Sequence, residues 1–328
     1  MTAAAKEPVS LKTRIWNIAK ILIAVILLGY VISTTDIEQL KISWQMLSRG
    51  WLAVSILVFV LMVIVKALQN RALINPRLSF RNVLNITVMQ NAISNFVSNA
   101  AGVATYASMF KVEHDVTLTR SAIAFILVKV GDLVSILLLL VGSLFFVWNQ
   151  VRVLHEVLVI LVVLILMGLL VVFATIYFRQ WFVNFLEKLL TRLNLVKFEL
   201  VRKAMSVLVS ISRTDKAVVR KLMTLALLYS GLYFAITITW SYTLINAFHI
   251  PIAFPGMVFV SAVRQIISFI PIQVFGGLGV TEISSLYLYG LFDIPIPELS
   301  AALIGIRIYH TIVNALTLLY IPFGKNRS

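Results

Sequence analysis

Cysteine is absent from the 328-residue chain, which excludes disulfides, thiol catalysis and cysteine-ligated zinc. Histidine is scarce, at positions 114, 155, 249 and 310. Neither an HExxH pair nor a nucleophile elbow occurs, and no DxD-like metal pair sits on a loop. There is no GxxxxGK[ST] phosphate loop, so no ATPase is expected on this chain. Charged residues are thin, at 12%. Neither a cofactor nor a metal follows from this inventory.

What is present in excess is apolar length. Hydrophobic residues make up 60% of the chain, against about 45–50% in soluble domains. Apolar runs fall at 15–33, 51–69, 82–111, 119–149, 153–178, 221–247, 255–291 and 299–323. Their length reads as an all-α polytopic membrane protein, since a barrel would show alternating segments of about ten residues. The run after Lys12 and Arg14 is too long for a signal-peptide core and lacks a small-residue cleavage site, so it reads as a retained first helix. The chain is thus expected to be a single integral membrane domain over 1–328.

Net charge is +15. In a membrane protein this reflects basic loops on the cytoplasmic side rather than nucleic-acid binding. Lys6, Lys12 and Arg14 place the N-terminus in the cytoplasm; Arg71, Arg77 and Arg81 place the 70–81 loop there. The polar segment 179–220 and Lys221 just after it carry ten Lys/Arg against Glu187, Glu199 and Asp215, a balance of +7. That segment reads as a cytoplasmic amphipathic stretch on anionic lipid, or as a docking surface. Between these two inside segments the number of crossings is even, yet three apolar runs lie there. Parity is restored if 82–111 is a re-entrant hairpin that goes in over 82–97 and turns at SNAAG, 98–102. In the second half, 255–291 is the matching hairpin from the opposite face. Its arms would reach about 24 and 16 Å at 1.5 Å per residue, short of the ~30 Å hydrocarbon core. The expectation is about six full transmembrane helices plus two oppositely oriented re-entrant hairpins, with both termini cytoplasmic. A single kinked span over 255–291 is the rival reading. Opposed interrupted segments point to inverted-repeat transporters. Gly102 precedes Lys129 by 27 residues and Gly279 precedes Arg307 by 28, which fits a repeat.

An ionised side chain at the centre of a span costs about 2.5–3.5 kcal/mol on insertion scales. Lys20 and Lys66 are read as lying near helix ends, where they can snorkel. Lys129, Asp132, Arg264, Glu282 and Arg307 are too deep for that, and His310 lies one turn from Arg307. Lys129 and Asp132 can pair; Glu282 can pair with Arg264 or Arg307. One cation is left over, and an anionic ligand would compensate it. Beside these charges lies IPIQVFGGLGVTE, 270–282. Its GGLG frees backbone N–H groups at a helix N-terminus, a arrangement suited to phosphate or carboxylate. Glu282 is open to three roles: dipole partner, salt-bridge acceptor or proton carrier.

PIQVFGGLGVTE resembles the Pro-x(n)-GGLG-x-x-E signature of the flippase-like membrane proteins that include the membrane domain of lysylphosphatidylglycerol synthases. NFVSNAAGVATYASMFK, 95–111, is similar to that family's earlier glycine-containing segment, which brings in Asn99 and Gly102. FILVKVGDLVSIL, 125–137, resembles its Glu-Arg-x-x-Asp helix, with Lys129 and Asp132 at the basic and acidic positions. Val128 stands where the family usually has an acid. Arg307 resembles the arginine of its last helix. The resemblance implies lipid translocation without aminoacyl chemistry. The substrates it implies are anionic phospholipids, aminoacylated phospholipids or lipid-linked saccharides.

The expected function is therefore a non-enzymatic lipid flippase in the plasma or inner membrane. Its expected substrate residues are Arg264, Gly276, Gly277, Gly279, Glu282, Arg307, His310, Lys129, Asp132, Asn99 and Gly102. Movement would be passive, driven by a partner, or coupled to protons on Asp132, Glu282 or His310. Two other readings remain open: a membrane-embedded lipid-phosphate transferase or hydrolase, and a non-catalytic partner of a separate lipid-modifying or glycan-assembly enzyme. An oligomer is compatible with all three.

Overall fold

A computed structural model describes residues 37–114, 118–269, 277 and 279–320. Every regular element among them is helical. A short amphipathic helix, α1 (Ile37–Gln45), precedes the long α2 (Arg49–Ile74). Asn75 leaves helical geometry before Pro76, where the ring disfavours continuation. Helices α3 (Phe80–Phe96) and α4 (Asn99–His114) form a hairpin. Ser79 caps α3 by accepting from the Asn82 N–H. Then come α5 (Leu118–Val147), α6 (His155–Arg192), α7 (Glu199–Arg213) and α8 (Lys216–Ala247). Asp215 caps α8 through the N–H groups of Ala217 and Val218. The chain continues through α9 (Phe254–Ile267), α10 (Val280–Gly290) and α11 (Ile296–Thr317).

Five helical segments are long and apolar enough to cross a membrane: α2, the 123–147 part of α5, α6, α8 and α11 with its terminal turn. They coincide with five of the six expected spans. The sixth, 15–33, lies outside the described residues, as does the C-terminal tail.

Two apolar clusters define the ends of the bundle. One gathers Leu73, Ile74, Val83, Phe110, Ile211 and Val219. The other gathers Val147, Leu158, Phe248, Met257, Tyr289 and Leu299. We call these the α7 end and the α1 end. Both arms of the α3–α4 hairpin contribute to the α7 end; both α9 and α10 contribute to the α1 end. Helix α8 is central, packed against α2 and α5. Helix α3 packs on α11, while α9 packs on α5. Exchanging the two halves of the chain maps each of these contacts onto the other.

Close approach of α5 to α8 depends on Gly131. A Cβ there would lie 2.8 Å from the Ala226 carbonyl oxygen and 2.8 Å from Ser230 Oγ. Small residues allow such approach in membrane helices, where packing rather than the hydrophobic effect drives association. Gly131→Ala is expected to lower stability by about 1–3 kcal/mol through overpacking, read as a lower melting temperature in detergent.

Most of α6 faces outward. Val157, Ile160, Leu164, Met167 and Leu170 are all more than half exposed in the isolated chain. A face this apolar requires lipid around it. From His155 at the α1 end, the 22 residues to Tyr177 rise about 33 Å, matching the ~30 Å hydrocarbon core. Exposed Trp44, Trp51, Trp148 and Tyr242 collect at the α1 end, and Tyr177 and Trp181 at the other. Such aromatic belts mark the two interfaces. The chain is a multi-pass membrane protein.

Three expectations are corrected here. The turn at 98–102 is shorter: only Val97 and Ser98 leave the helix. Ser98 Oγ then accepts from the Ala101 N–H at 3.2 Å, and α4 has already begun at Asn99. Gly102 is therefore a packing residue. A Cβ on it would overlap Ser94 Oγ and come within 2.9 Å of the Gln90 carbonyl oxygen, so it lets α4 lie against α3. The span ending at 178 belongs to a helix that runs on to Arg192, with non-helical backbone at Arg179 (φ 53, ψ −130). The polar segment 179–220 is thus the second part of α6, a turn at Leu195–Lys197, α7 and the start of α8.

Candidate functional site

The GGLG motif opens α10 through glycine-specific geometry. Gly277 and Gly279 have φ of 83° and 82°, the left-handed region that side chains disfavour. Gly279 is the N-cap, and Glu282 Oε2 accepts from its N–H at 2.6 Å. The other oxygen, Oε1, faces Arg307 Nη1 at 3.6 Å across the α10–α11 contact. Two of the three roles open to Glu282 are thus filled at once: it caps the helix and pairs with Arg307. Gly279→Ala is expected to destabilise by about 1–3 kcal/mol through backbone strain. A thermal melt of the variant checks this.

Glu282 and Arg307 line a small cavity between α8, α9, α10 and α11, together with Arg264, His310 and Trp240. Its volume of about 90 Å³ holds a few waters or one compact anion. Glu282 is buried, and the Arg307 side chain is 18% exposed. Two buried donors here meet no partner among the described residues: Arg264 Nε and Trp240 Nε1. Leaving such a donor unsatisfied costs about 1–3 kcal/mol. His310 sits between aromatic rings, 5.4 Å from Trp240 and 6.3 Å from Phe59, while its carbonyl accepts from Asn314 Nδ2. The cavity thus has two guanidinium groups, one carboxylate and orphan donors, which suits an anion.

Lys129 and Asp132 form a separate cluster on the α5–α2–α8 contact. Lys129 Nζ lies 3.6 Å from Asp132 Oδ2, so the expected pair is present. Lys66 does not snorkel. Helix α2 continues past 69 to Ile74, and Lys66 Nζ turns inward to within 3.7 Å of the same oxygen. Ser230 Oγ donates to Asp132 Oδ1 at 2.7 Å, and Gln69 Nε2 donates to Ser230 at 2.9 Å. The tighter hydrogen bond to the carboxylate is the one from Ser230. Rings complete the shell: Lys66 lies over Tyr233 and Lys129 over Phe269, each at 4.8 Å. The unpartnered atom here is an acceptor, Gln69 Oε1. Cluster and cavity therefore differ in kind, although each holds two cations and one acid.

Helix α9 joins them. Arg264 reaches the cavity, and Phe269, just past the helix end, covers Lys129. Of the remaining expected residues, Gly276 lies outside the described residues. Asn99 opens α4, but its side chain is not among those described. Gly102 is spent on hairpin packing.

Sequence reasoning missed Lys66, Gln69, Ser230 and Trp240. A stripe at Lys66, Gln69 and Asn70, three and four residues apart, marks one helix face and was the available signal for two of them. Ser230 and Trp240 leave no such trace.

The fold defines a multi-pass membrane protein with two buried charged sites. A family model described as the lysylphosphatidylglycerol synthase TM region matches residues 17–317. The chain belongs to that family, which indicates a membrane lipid-related function. Neither the curated proteins nor the solved structures contain a match.

Proposed function

We propose that this chain is a lipid translocator without enzymatic activity, and that the cavity at Arg264 and Arg307 receives the anionic headgroup of its substrate. The carrying observation is the pair of unpartnered buried donors, Arg264 Nε and Trp240 Nε1, in a cavity with one more cation than acid. A phosphate group would offer acceptors to these donors and offset the surplus charge. The substrate classes that fit are anionic phospholipids, aminoacylated phospholipids and lipid-linked saccharides, with tails left in the bilayer. The α3–α4 and α9–α10 hairpins act as re-entrant elements from opposite faces.

The helix registers support an inverted repeat. Arg307 lies eleven residues beyond Ile296, the start of α11, and Lys129 eleven beyond Leu118, the start of α5. Each is followed three residues later by a second titratable group, His310 and Asp132. Lys129 with Asp132 then lies nearer the α7 end, and Arg307 with His310 nearer the α1 end. The basic α7 end faces the cytoplasm of a plasma or inner membrane, which puts both termini there too. A separate lipid-modifying or glycan-assembly enzyme supplies or consumes the substrate.

The rival reading, lipid-phosphate transfer or hydrolysis, is disfavoured by the occupancy of Glu282. Both of its oxygens are engaged, which leaves no free carboxylate among the described residues of the cavity. The test is leaflet exchange of fluorescent anionic lipids in proteoliposomes, with product analysis of the same samples. Faster exchange with unaltered lipids is expected. Exchange at the empty-liposome rate for every class tried would overturn the proposal, and altered lipids would establish the enzyme instead.

A further inference from the structure

Beyond Arg179, α6 carries an aromatic face that no other element among the described residues covers. Trp181, Phe185, Leu189 and Leu193 are all exposed, from 42% at Leu189 to 68% at Trp181. Trp181 and Phe185 stack at 6.2 Å. At 100° per residue these side chains fall on one stripe of the helix. Lys188 and Arg192 lie along the edge of the same stripe. The opposite flank carries Gln180, Asn184, Glu187 and Thr191, and Val183 faces the protein interior. The order around the helix is therefore interior, apolar, basic and then neutral or acidic.

Helix α7 has the stronger amphipathic sequence, but its apolar face is used internally. Leu208 and Ile211 are buried, and α7 packs on α6. Arg179 fastens it there: Nη2 donates to the Ser212 and Thr214 carbonyls at 2.8 and 3.0 Å. These bonds satisfy carbonyls at the C-terminal end of α7 that have no helical partner. The same residue breaks the helical path of α6 with its left-handed φ.

From these observations we infer that residues 180–193 of α6 form an in-plane membrane anchor that binds an anionic lipid surface at the α7 end. The occupant is set by position and charge. The stripe starts four residues past Tyr177, where the same helix reaches the interface, so its apolar face is continuous with the lipid-facing face of the span. Basic residues along one edge of an apolar stripe extend to lipid phosphates while their stems stay in the interface. Within 180–213, Lys188, Arg192, Lys197, Arg202, Lys203 and Arg213 outnumber Glu187 and Glu199, which favours an anionic leaflet. The strained Arg179 is the positioning residue that lets the arm leave the axis of the span. This inference rests on the membrane-spanning fold and not on the transport proposal.

The absence of cysteine makes the test direct. Single spin labels are introduced by Phe185→Cys, Leu189→Cys, Asn184→Cys and Thr191→Cys in the full chain, reconstituted in vesicles of anionic phospholipid or of zwitterionic phospholipid alone. Accessibility to oxygen and to a water-soluble nickel chelate is then read at each site. In anionic vesicles, labels at 185 and 189 are expected to favour oxygen, and those at 184 and 191 the chelate. In zwitterionic vesicles, or in anionic vesicles with Lys188→Gln and Arg192→Gln, the oxygen preference at 185 and 189 is expected to fall several-fold. Three results would overturn the inference: chelate access at 185 and 189 in anionic vesicles, shielding from both reagents as under a protein partner, or equal burial in both lipids.

Discussion

Arg307→Ala is expected to abolish stimulated leaflet exchange and to destabilise the protein. The stability loss follows from geometry. Removing the guanidinium leaves Glu282, whose side chain is 4% exposed, as an uncompensated carboxylate. Breaking one side of a buried pair costs about 3–5 kcal/mol; the partial exposure of Arg307 and the 3.6 Å separation favour the lower end of that range. The two effects separate in the double variant Arg307→Met with Glu282→Gln. There the charge is gone from both sides, and an amide can still accept from the Gly279 N–H. Stability should return by more than half while exchange stays at least about tenfold down, a barrier of ~1.4 kcal/mol or more. Thermal melts and exchange assays on the same preparations check both parts. A folded Arg307→Ala protein with wild-type exchange would remove the cavity from the mechanism.

The second large effect is expected at Asp132. Asp132→Ala leaves Lys66 and Lys129 facing each other without their shared carboxylate and deprives Ser230 of its acceptor. Lys129, with 39% of its side chain exposed, can turn away; Lys66, at 17%, has less freedom. The expected loss is about 3 kcal/mol or more. Lys66→Met should cost less, because Asp132 retains Lys129 and Ser230. The ordering of the two melting temperatures is the test. A Lys66→Met protein more damaged than Asp132→Ala would contradict the shared-carboxylate arrangement. Adding Lys66→Met to Asp132→Ala should recover part of the loss, since it removes the less mobile of the two cations.

The spans were legible because hydrophobic length is a strong local signal, and five helices agree with the apolar runs. Helix pairs α3–α4 and α9–α10 occupy the two interrupted runs; the expectation that those runs are re-entrant came from charge parity, which depends on loop residues alone. GGLG was legible as a helix start because left-handed backbone at Gly277 and Gly279 calls for glycine. Lys66 was misread because the apolar run ends at 69 while the helix does not. Gln69, Asn70 and Arg71 continue it, with Asn70 satisfied by Thr87 and Tyr106 from the α3–α4 hairpin. Those partners are distant in sequence, so the burial of the polar stripe is a tertiary property. Gly102 was misread for the converse reason: in a polar stretch a glycine suggests a turn, and only the position of Ser94 reveals close packing. Trp240 is one indole in an apolar helix, and its unpartnered N–H exists only in the folded cavity. The free face of α6 was hidden by α7, whose pattern dominates the polar segment although its apolar side is already used.

The most direct measurement is a structure of the protein in nanodiscs containing an anionic phospholipid, at a resolution that separates headgroup from water. Phosphate density within hydrogen-bond reach of Arg264, Arg307 and the Trp240 indole is the predicted result. A cavity holding only water while anionic headgroups occupy another part of the bundle would contradict the account.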